Sequence, residues 1–556
     1  MEYTLYKTDD STTFRALLER CPAYYGGKDM FREKDGGGVK STSCEEFAAM
    51  VRALGAALLE KDLPGRKVAV IGETSVKWIA AYFATVTGGG VIIPVDKELP
   101  DDEIANVLND SGAAAIVYAP SFSGIMRNIE KDVPGIRYFI GMEEEQPDGK
   151  FISFDDLVAH GKTLDQSAYQ SQKIADGQLS TILYTSGTTG RSKGVMLTQK
   201  NILRSAQGLL GYVKMGDVCM SVLPIHHSYE FTAGIIVAMM SGMTICVNDS
   251  PRYFLQNLQL FKPDTLTLVP LYVEMIYKKI WANAKANGSE QQLEDTLQKS
   301  EGLLARGEDL RRDLFKDILD ALGGNLRRIV CGGAPLAAFY PQAYFDFGVN
   351  ILQGYGITEC APVVSINHDD HNKYGSIGLP LSCNRVIIRD VDADGDGEIW
   401  VKGENVMLGY YKNPQATAEV MDDGWFNTGD IGHIDEDGFL FITGRKKNLI
   451  VLSNGKNVYP EEIEGYLQRI PYIKEVVVYA PGEESLTGVG LCAEIFLDEQ
   501  TLSTHGKEEC MAMLKRDIAA VNKPLPGYKQ IDDFKLRDTE FEKTTKKSIK
   551  RFTVKQ

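Results

Sequence analysis

The chain reads as α/β, with a large N-terminal domain of wound sheets plus a small antiparallel lobe, followed by a small α+β C-terminal domain. Three observations predict this. At 556 residues the chain exceeds what one ordinary core accommodates. From Arg66 onward short β-branched runs alternate with longer helical patterns, the rhythm of a parallel sheet. After about Gly375 the texture changes to short strands separated by glycine turns.

Lys67 to Ile71, Val91 to Val95 and Ala114 to Tyr118 read as strands, with helices beginning near Ser75 and Asp101. The same rhythm returns at Val218 to Leu223, Met243 to Val247, Thr265 to Val269 and Leu326 to Cys331, so a second wound sheet is expected. The polar stretch from about Ala282 to Leu322 reads as solvated helices on its outside. The apolar run Thr232 to Met240 reads as a helix. Val386 to Arg389 and Glu398 to Lys402 belong to the antiparallel lobe. A boundary near Gly444 to Asn448 divides residues 1–444 from 445–556, where a strand pair, a helix from Pro460, strands Glu475 to Tyr479 and Gly490 to Phe496, and a helix from about Lys507 follow.

The formal net charge of -16 argues against a general nucleic-acid binder, which needs clustered Lys and Arg. An anionic ligand must therefore meet local positive groups. No apolar run is long enough for a membrane span, and the first ten residues lack a signal-peptide pattern, so a cytoplasmic location is expected. The nine cysteines form no metal-spaced pair or cluster. Asp392, Asp394 and Asp396 imitate the start of a calcium loop, but Gly403 stands where its bidentate Glu is required; a hairpin turn explains them better.

The most informative segment is Tyr184 to Gly194, YTSGTTGRSKG, between two apolar strands. Its glycines let backbone amides turn toward an anion, its hydroxyls add donors and Lys193 adds a charge, so a polyphosphate is the natural guest. A Gly/Ser/Thr-rich surface turn would have the same composition. The segment is not a Walker loop, because Ser192 precedes the lysine. Later segments with chemical content are LPIHHSYEF (Leu223 to Phe231), CGGAP (Cys331 to Pro335), QGYGITE (Gln353 to Glu359), WFNTGDIG (Trp425 to Gly432), GRKKNLIVLSNGKNVYPEE (from Gly444) and EKTTKKSIKR (Glu542 to Arg551).

In this order the segments closely resemble the signatures of the AMP-forming adenylating superfamily, from about Thr42 to Arg551. The polar helical insert and ALGGNLRRIVCGGAPL are most like its long-chain fatty acyl-CoA branch. The resemblance implies an ATP-dependent acid:CoA ligase with magnesium as cofactor and ATP and CoA as co-substrates. Loading of a carrier-protein thiol and a weakly catalytic nucleotide-binding module are the alternatives. A carboxylic (fatty) acid is the implied partner, and peripheral membrane contact is compatible with it. The implied phosphate and nucleotide ligands are Thr185, Ser186, Gly187, Thr188, Thr189, Gly190 and Lys193, with Gly332, Gly333 and Ala334 lining adenine. Gln353, Gly354, Tyr355, Gly356 and Thr358 form the second signature. Glu359 and Thr185 are implied as magnesium ligands, Asp430 as the ribose clamp and Arg445 as a ribose or phosphate ligand. His227 takes the carboxylate side of the acyl pocket, with Phe231 beside it, whereas His226 reads as a histidine satisfied at a strand end. Lys447 falls at the hinge of a C-terminal domain that the resemblance makes mobile, and Gly455 borders the pantetheine path. The last signature is broken: Ser548 occupies the position of the catalytic tail lysine. Either Lys547 supplies that charge after a one-residue shift, or adenylation is slowed.

Overall fold

The computed structural model describes residues 3–144, 147–185, 192–452, 457–481, 490–543 and 549–554. By contact the chain forms two compact units, one of residues 1–386, 401–426 and 436–440, the other of 387–400, 427–435 and 441–556.

The first unit holds two wound sheets. One runs, edge to edge, Phe151–Ser153, Tyr138–Gly141, Ala115–Tyr118, Lys67–Ile71, Val91–Pro94, Leu179–Thr185, Lys193–Thr198 and Gly409–Tyr410. The pairs are parallel from Phe151–Ser153 through Leu179–Thr185, and the last two strands close that edge antiparallel. Helix Val76–Thr87 is buried at every position but Lys77, as a helix packed on all sides must be. Lys77 instead carries its ammonium outward to Asp155 and to the Met142 carbonyl, both at 2.7 Å. Ser75 caps the helix by accepting from the Trp78 amide, so the start expected near Ser75 is where the chain turns.

The second sheet runs Leu379–Pro380, Val363–Ile366, Asn350–Gly356, Arg328–Cys331, Thr265–Leu268, Val218–Ser221, Thr244–Val247, Asp29–Asp35 and Gly38–Ser43. Strands Asn350–Gly356 through Asp29–Asp35 pair in parallel. The hairpin 29–43 has no counterpart in the sequence reading. Its mostly exposed second strand, GVKSTS, with Lys40 on it, suits an edge but lacks a β-branched run. Val218–Ser221 lies in the middle of this sheet, with later strands added first on one side and then on the other. That is a topological switch point, where open α/β sheets bind ligands beyond their carboxyl ends. Leu268, Cys331 and Gln353 are register partners, so the loops after these strands emerge side by side.

The apolar stretch after His227 departs from the expected helix. It is π-helical over Glu230–Ile236 and becomes α-helical only over Val237–Ser241. The wider turn lets Glu230, fully buried, fold its carboxyl back onto the Ser221 hydroxyl and the amides of Val222 and Leu223. A Cβ on Gly234 would stand 3.1 Å from that carboxyl, which explains a glycine inside a helix. Burial pushes the Glu230 carboxyl from its ordinary 4.5 up to about 8. The folded chain thus binds one more proton than the unfolded chain between these values, so this group costs about 1.4 kcal/mol of stability for each pH unit of rise across that interval. Denaturant unfolding at pH 5 and pH 8 should show Glu230→Gln flattening the decline; equal slopes in both proteins would reject it.

In the second unit, strands Ile473–Tyr479, Cys492–Leu497 and Asp533–Leu536 form a sheet, the first pair antiparallel and the second parallel. Helices Pro460–Leu467 and Lys507–Asn522 pack on it around Val458, Ile463, Val476, Ile495 and Leu514. Strand Asp533–Leu536 escaped the sequence reading because its pattern, DFKL, is short and charged. The Asp392 carboxylate accepts from the amides of Asp394 and Asp396 at 2.9 and 3.1 Å, so the aspartate run forms a hairpin turn. No described helix is long and apolar enough to cross a membrane.

Candidate active site

The site in the first unit is built from loops at the carboxyl edge of the second sheet. Gly332 follows strand Arg328–Cys331 and donates its amide to Leu268 O at 3.2 Å. A Cβ there would lie 3.3 Å from the Tyr229 ring, and Gly333 has φ +83°, which an L side chain rarely adopts. Gly333 and Ala334 are exposed. Tyr229 ties neighbouring strand ends together by donating to Leu268 O at 3.2 Å and Val330 O at 3.1 Å. Gln353 is buried, its Oε1 without a described partner; Gly354 and Tyr355 pair with Ile366 and Ser365. Gly356 opposes Val363 so closely that a Cβ would fall 2.1 Å from the Pro362 carbonyl oxygen. This tight crossing projects Thr358 and Glu359, and the Ser228 hydroxyl reaches Thr358 Oγ1 at 3.4 Å.

The first sheet supplies the positive charge. Thr185 and Lys193 are cross-strand partners, with Thr185 Oγ1 donating to Lys193 O at 3.5 Å. Ser186, Gly187, Thr188, Thr189 and Gly190 lie outside the described residues, as do Gly455 and Lys547. Tyr410 joins Lys193 to Glu359: the Lys193 ammonium stands 5.1 Å from the Tyr410 ring centroid, and the Tyr410 hydroxyl donates to Glu359 Oε1 at 2.8 Å. The Met407 amide donates to Glu359 O at 2.8 Å. Sequence reasoning missed Tyr410, because a tyrosine in GYYKNP carries no mark of its neighbours.

The two adjacent histidines are placed differently. His226 is buried, its Nε2 3.1 Å from Asp96 Oδ1. Asp96 is held well below the usual carboxylate range by His226, against the opposing effect of its burial. A carboxylate following a strand of the other sheet thus stands within ion-pair distance of His226, while both ring nitrogens lack a hydrogen-bond partner among the described residues. His227 is half-buried, with its ring centroid 4.2 Å from that of His226. His226, Ser228, Leu183, Ile225 and Phe231 line a narrow, mostly apolar pocket. Phe231 is packed against Tyr82 at 3.9 Å between centroids. Cys360, beside Glu359, is fully buried, and burial pushes its thiol well up; a nucleophilic role is thereby disfavoured.

In the second unit Asp430 is nearly inaccessible, and Arg445 Nε lies 2.9 Å from its Oδ1. The Asp430 amide donates to Thr428 Oγ1 at 3.1 Å, and that hydroxyl donates to Ile399 O at 2.9 Å. Burial, followed by the charge of Arg445, lowers the pKa of the Lys447 ammonium. Arg551, the last residue of the broken signature, is paired with Glu464. Burial nevertheless dominates that carboxyl and raises it to about 7.

Residues 18–411 match the family described as AMP-binding enzyme, and residues 447–556 match the AMP-binding enzyme C-terminal domain. A long-chain-fatty-acid–CoA ligase, FadD15 of Mycobacterium bovis, is 33% identical over 458 residues, covering 78% of this chain and 74% of the relative. Long-chain-fatty-acid–CoA ligase 5 of Rattus norvegicus is 28% identical over 521 residues, covering 87% and 76%. The crystal structure of the anthranilate CoA ligase AuaEII in complex with anthranoyl-AMP superposes with a TM-score of 0.78 at 19% identity, over 99% of this chain and 97% of that one. The chain is a member of the AMP-binding enzyme family, and its resemblance within that family is to the long-chain-fatty-acid–CoA ligases.

Proposed function

We propose that the chain is an ATP-dependent acid:CoA ligase acting on long-chain fatty acids. The observation that carries this reading is the Lys193, Tyr410, Glu359 cluster, which sets an ammonium beside a carboxylate at loops ending two sheets. The similarity to FadD15 and its mammalian counterparts supports the acid and the acceptor.

In the first half-reaction a carboxylate oxygen attacks the α-phosphorus of ATP, the bond to the β-phosphate breaks and pyrophosphate leaves. Lys193 offsets phosphate charge, and the loop amides position it. His227, whose ring adjoins that of the pocket-lining His226, orients the attacking carboxylate, Asp430 holds ribose, and Arg445 supports the nucleotide. In the second half-reaction the CoA sulfur attacks the acyl carbonyl, the bond to AMP breaks and the thiol proton passes to solvent. Gly455 leaves room for pantetheine, and Lys447 serves the hinge.

The residues fit magnesium. Glu359 keeps Oε2 without a hydrogen bond among the described residues, which hold no group of three or more His, Cys, Asp or Glu placed to bind a metal ion by themselves. Magnesium takes one or two carboxylates and draws its other ligands from phosphate and water; Glu359 with Thr185 would hold it. When bound it neutralises phosphate charge. A cytoplasmic location is supported by nine free cysteines, eight of them buried.

Pyrophosphate release should be measured over acids of graded chain length, with CoA or a carrier protein as acceptor. Long-chain acids with CoA are expected to give the fastest turnover. Transfer to carrier protein alone would replace the acceptor, and no acid-dependent release would overturn the enzyme.

A further inference from the structure

Lys193, which opens a strand, and Glu359, in the turn after strand Asn350–Gly356, bear opposite charges and both contact Tyr410. In an empty site such a pair is drawn together, and a direct ion pair would occupy the two groups that phosphate and a divalent cation require. Among the described residues the structure shows no such pair. Tyr410 stands between them, its ring under the ammonium and its hydroxyl on Glu359 Oε1.

The position of Tyr410 is fixed independently of both charges. It pairs with Val195 at the sheet edge, two residues along the strand from Lys193, so Lys193 is its diagonal neighbour. Its amide donates to Thr417 Oγ1 at 2.9 Å, and only 8% of the residue is exposed. The ring attracts the ammonium through its quadrupole without neutralising it. The hydroxyl takes one carboxylate oxygen, orienting the other.

We propose that Tyr410 is a positioning residue that separates Lys193 from Glu359, so that the ammonium stays available to phosphate and one carboxylate oxygen to a divalent cation. The proposal rests on the nucleotide and cation roles assigned to these residues above. It divides Tyr410 into two functions: the hydroxyl serves the cation, and the ring serves the ammonium.

Two variants of the full chain separate these functions. Binding of Mn2+ to the complex with α,β-methylene-ATP is followed by electron paramagnetic resonance, and binding of the same nucleotide in EDTA by calorimetry. Tyr410→Phe, which keeps the ring, should weaken Mn2+ binding about tenfold, the value of one hydrogen bond to a charged group, and leave metal-free nucleotide affinity within about twofold. Tyr410→Leu should weaken both. Equal losses of both affinities in the two variants, or no change in either, would overturn the proposal. Glu359→Gln is the reference. If it weakens Mn2+ binding while Tyr410→Phe does not, the role of Tyr410 alone fails; if it leaves Mn2+ binding unchanged, the cation site fails and takes the proposal with it.

Discussion

Lys193→Ala is expected to slow acid-dependent pyrophosphate release by about a hundredfold or more, the usual scale for losing one preorganised electrostatic contact to a developing transition state. ATP brings several negative charges to a chain whose own net charge is -16, so local cations must balance them. Lys193 is held for that task at a strand end, opposite Thr185 and over the Tyr410 ring. Glu359→Ala should produce a loss of comparable size through the cation. Transfer from a preformed acyl-adenylate to CoA should change much less in both variants, because pyrophosphate has then departed. Isotope exchange between pyrophosphate and ATP measures the first step directly. Wild-type exchange rates in both variants would remove these residues from the phosphate site.

Gly356→Ala should damage the protein more than any other single methyl addition in the second signature. The new Cβ would meet the Pro362 carbonyl oxygen at 2.1 Å, the Pro362 carbonyl carbon at 2.8 Å and Val363 Cα at 3.0 Å. All three belong to backbone, which cannot rotate aside like the end of a side chain. The Ile357 amide also donates to the same Pro362 oxygen at 2.8 Å, so relief by moving that carbonyl breaks a hydrogen bond. A cost of about 3 kcal/mol is expected, at the upper end for overpacking. Thr358 and Glu359 follow directly, so adenylation should fall with stability. Gly354→Ala, whose Cβ would meet Ser365 O at 3.1 Å, should cost distinctly less. Thermal unfolding and pyrophosphate exchange of the two variants check this; a Tm for Gly356→Ala equal to that of Gly354→Ala would show that the strand crossing yields.

The sequence by itself determined the α/β class, the strands Lys67–Ile71, Val91–Pro94 and Ala115–Tyr118 of the first sheet and Val218–Ser221, Thr244–Val247, Thr265–Leu268 and Arg328–Cys331 of the second, and the composition of the segments expected to face phosphate. Those features are local: β-branched runs, a serine cap before Val76 and glycines next to hydroxyls act within a few residues. The carboxyl-edge loops at CGGAP and QGYGITE were legible for the same reason, since a strand and the glycines that end it are contiguous. Only the tertiary structure decided which charges meet. Tyr410 reaches Lys193 and Glu359 because the short strand Gly409–Tyr410 adds to the edge of the first sheet, a pairing without a local signal. Asp96 reaches His226 because loops from two different sheets converge. The π-helical turn at Glu230 likewise depends on burial of its carboxyl against Ser221 and the amides beside it. A buried polar group must find its partner wherever the fold provides one, and sequence spacing does not encode that partner.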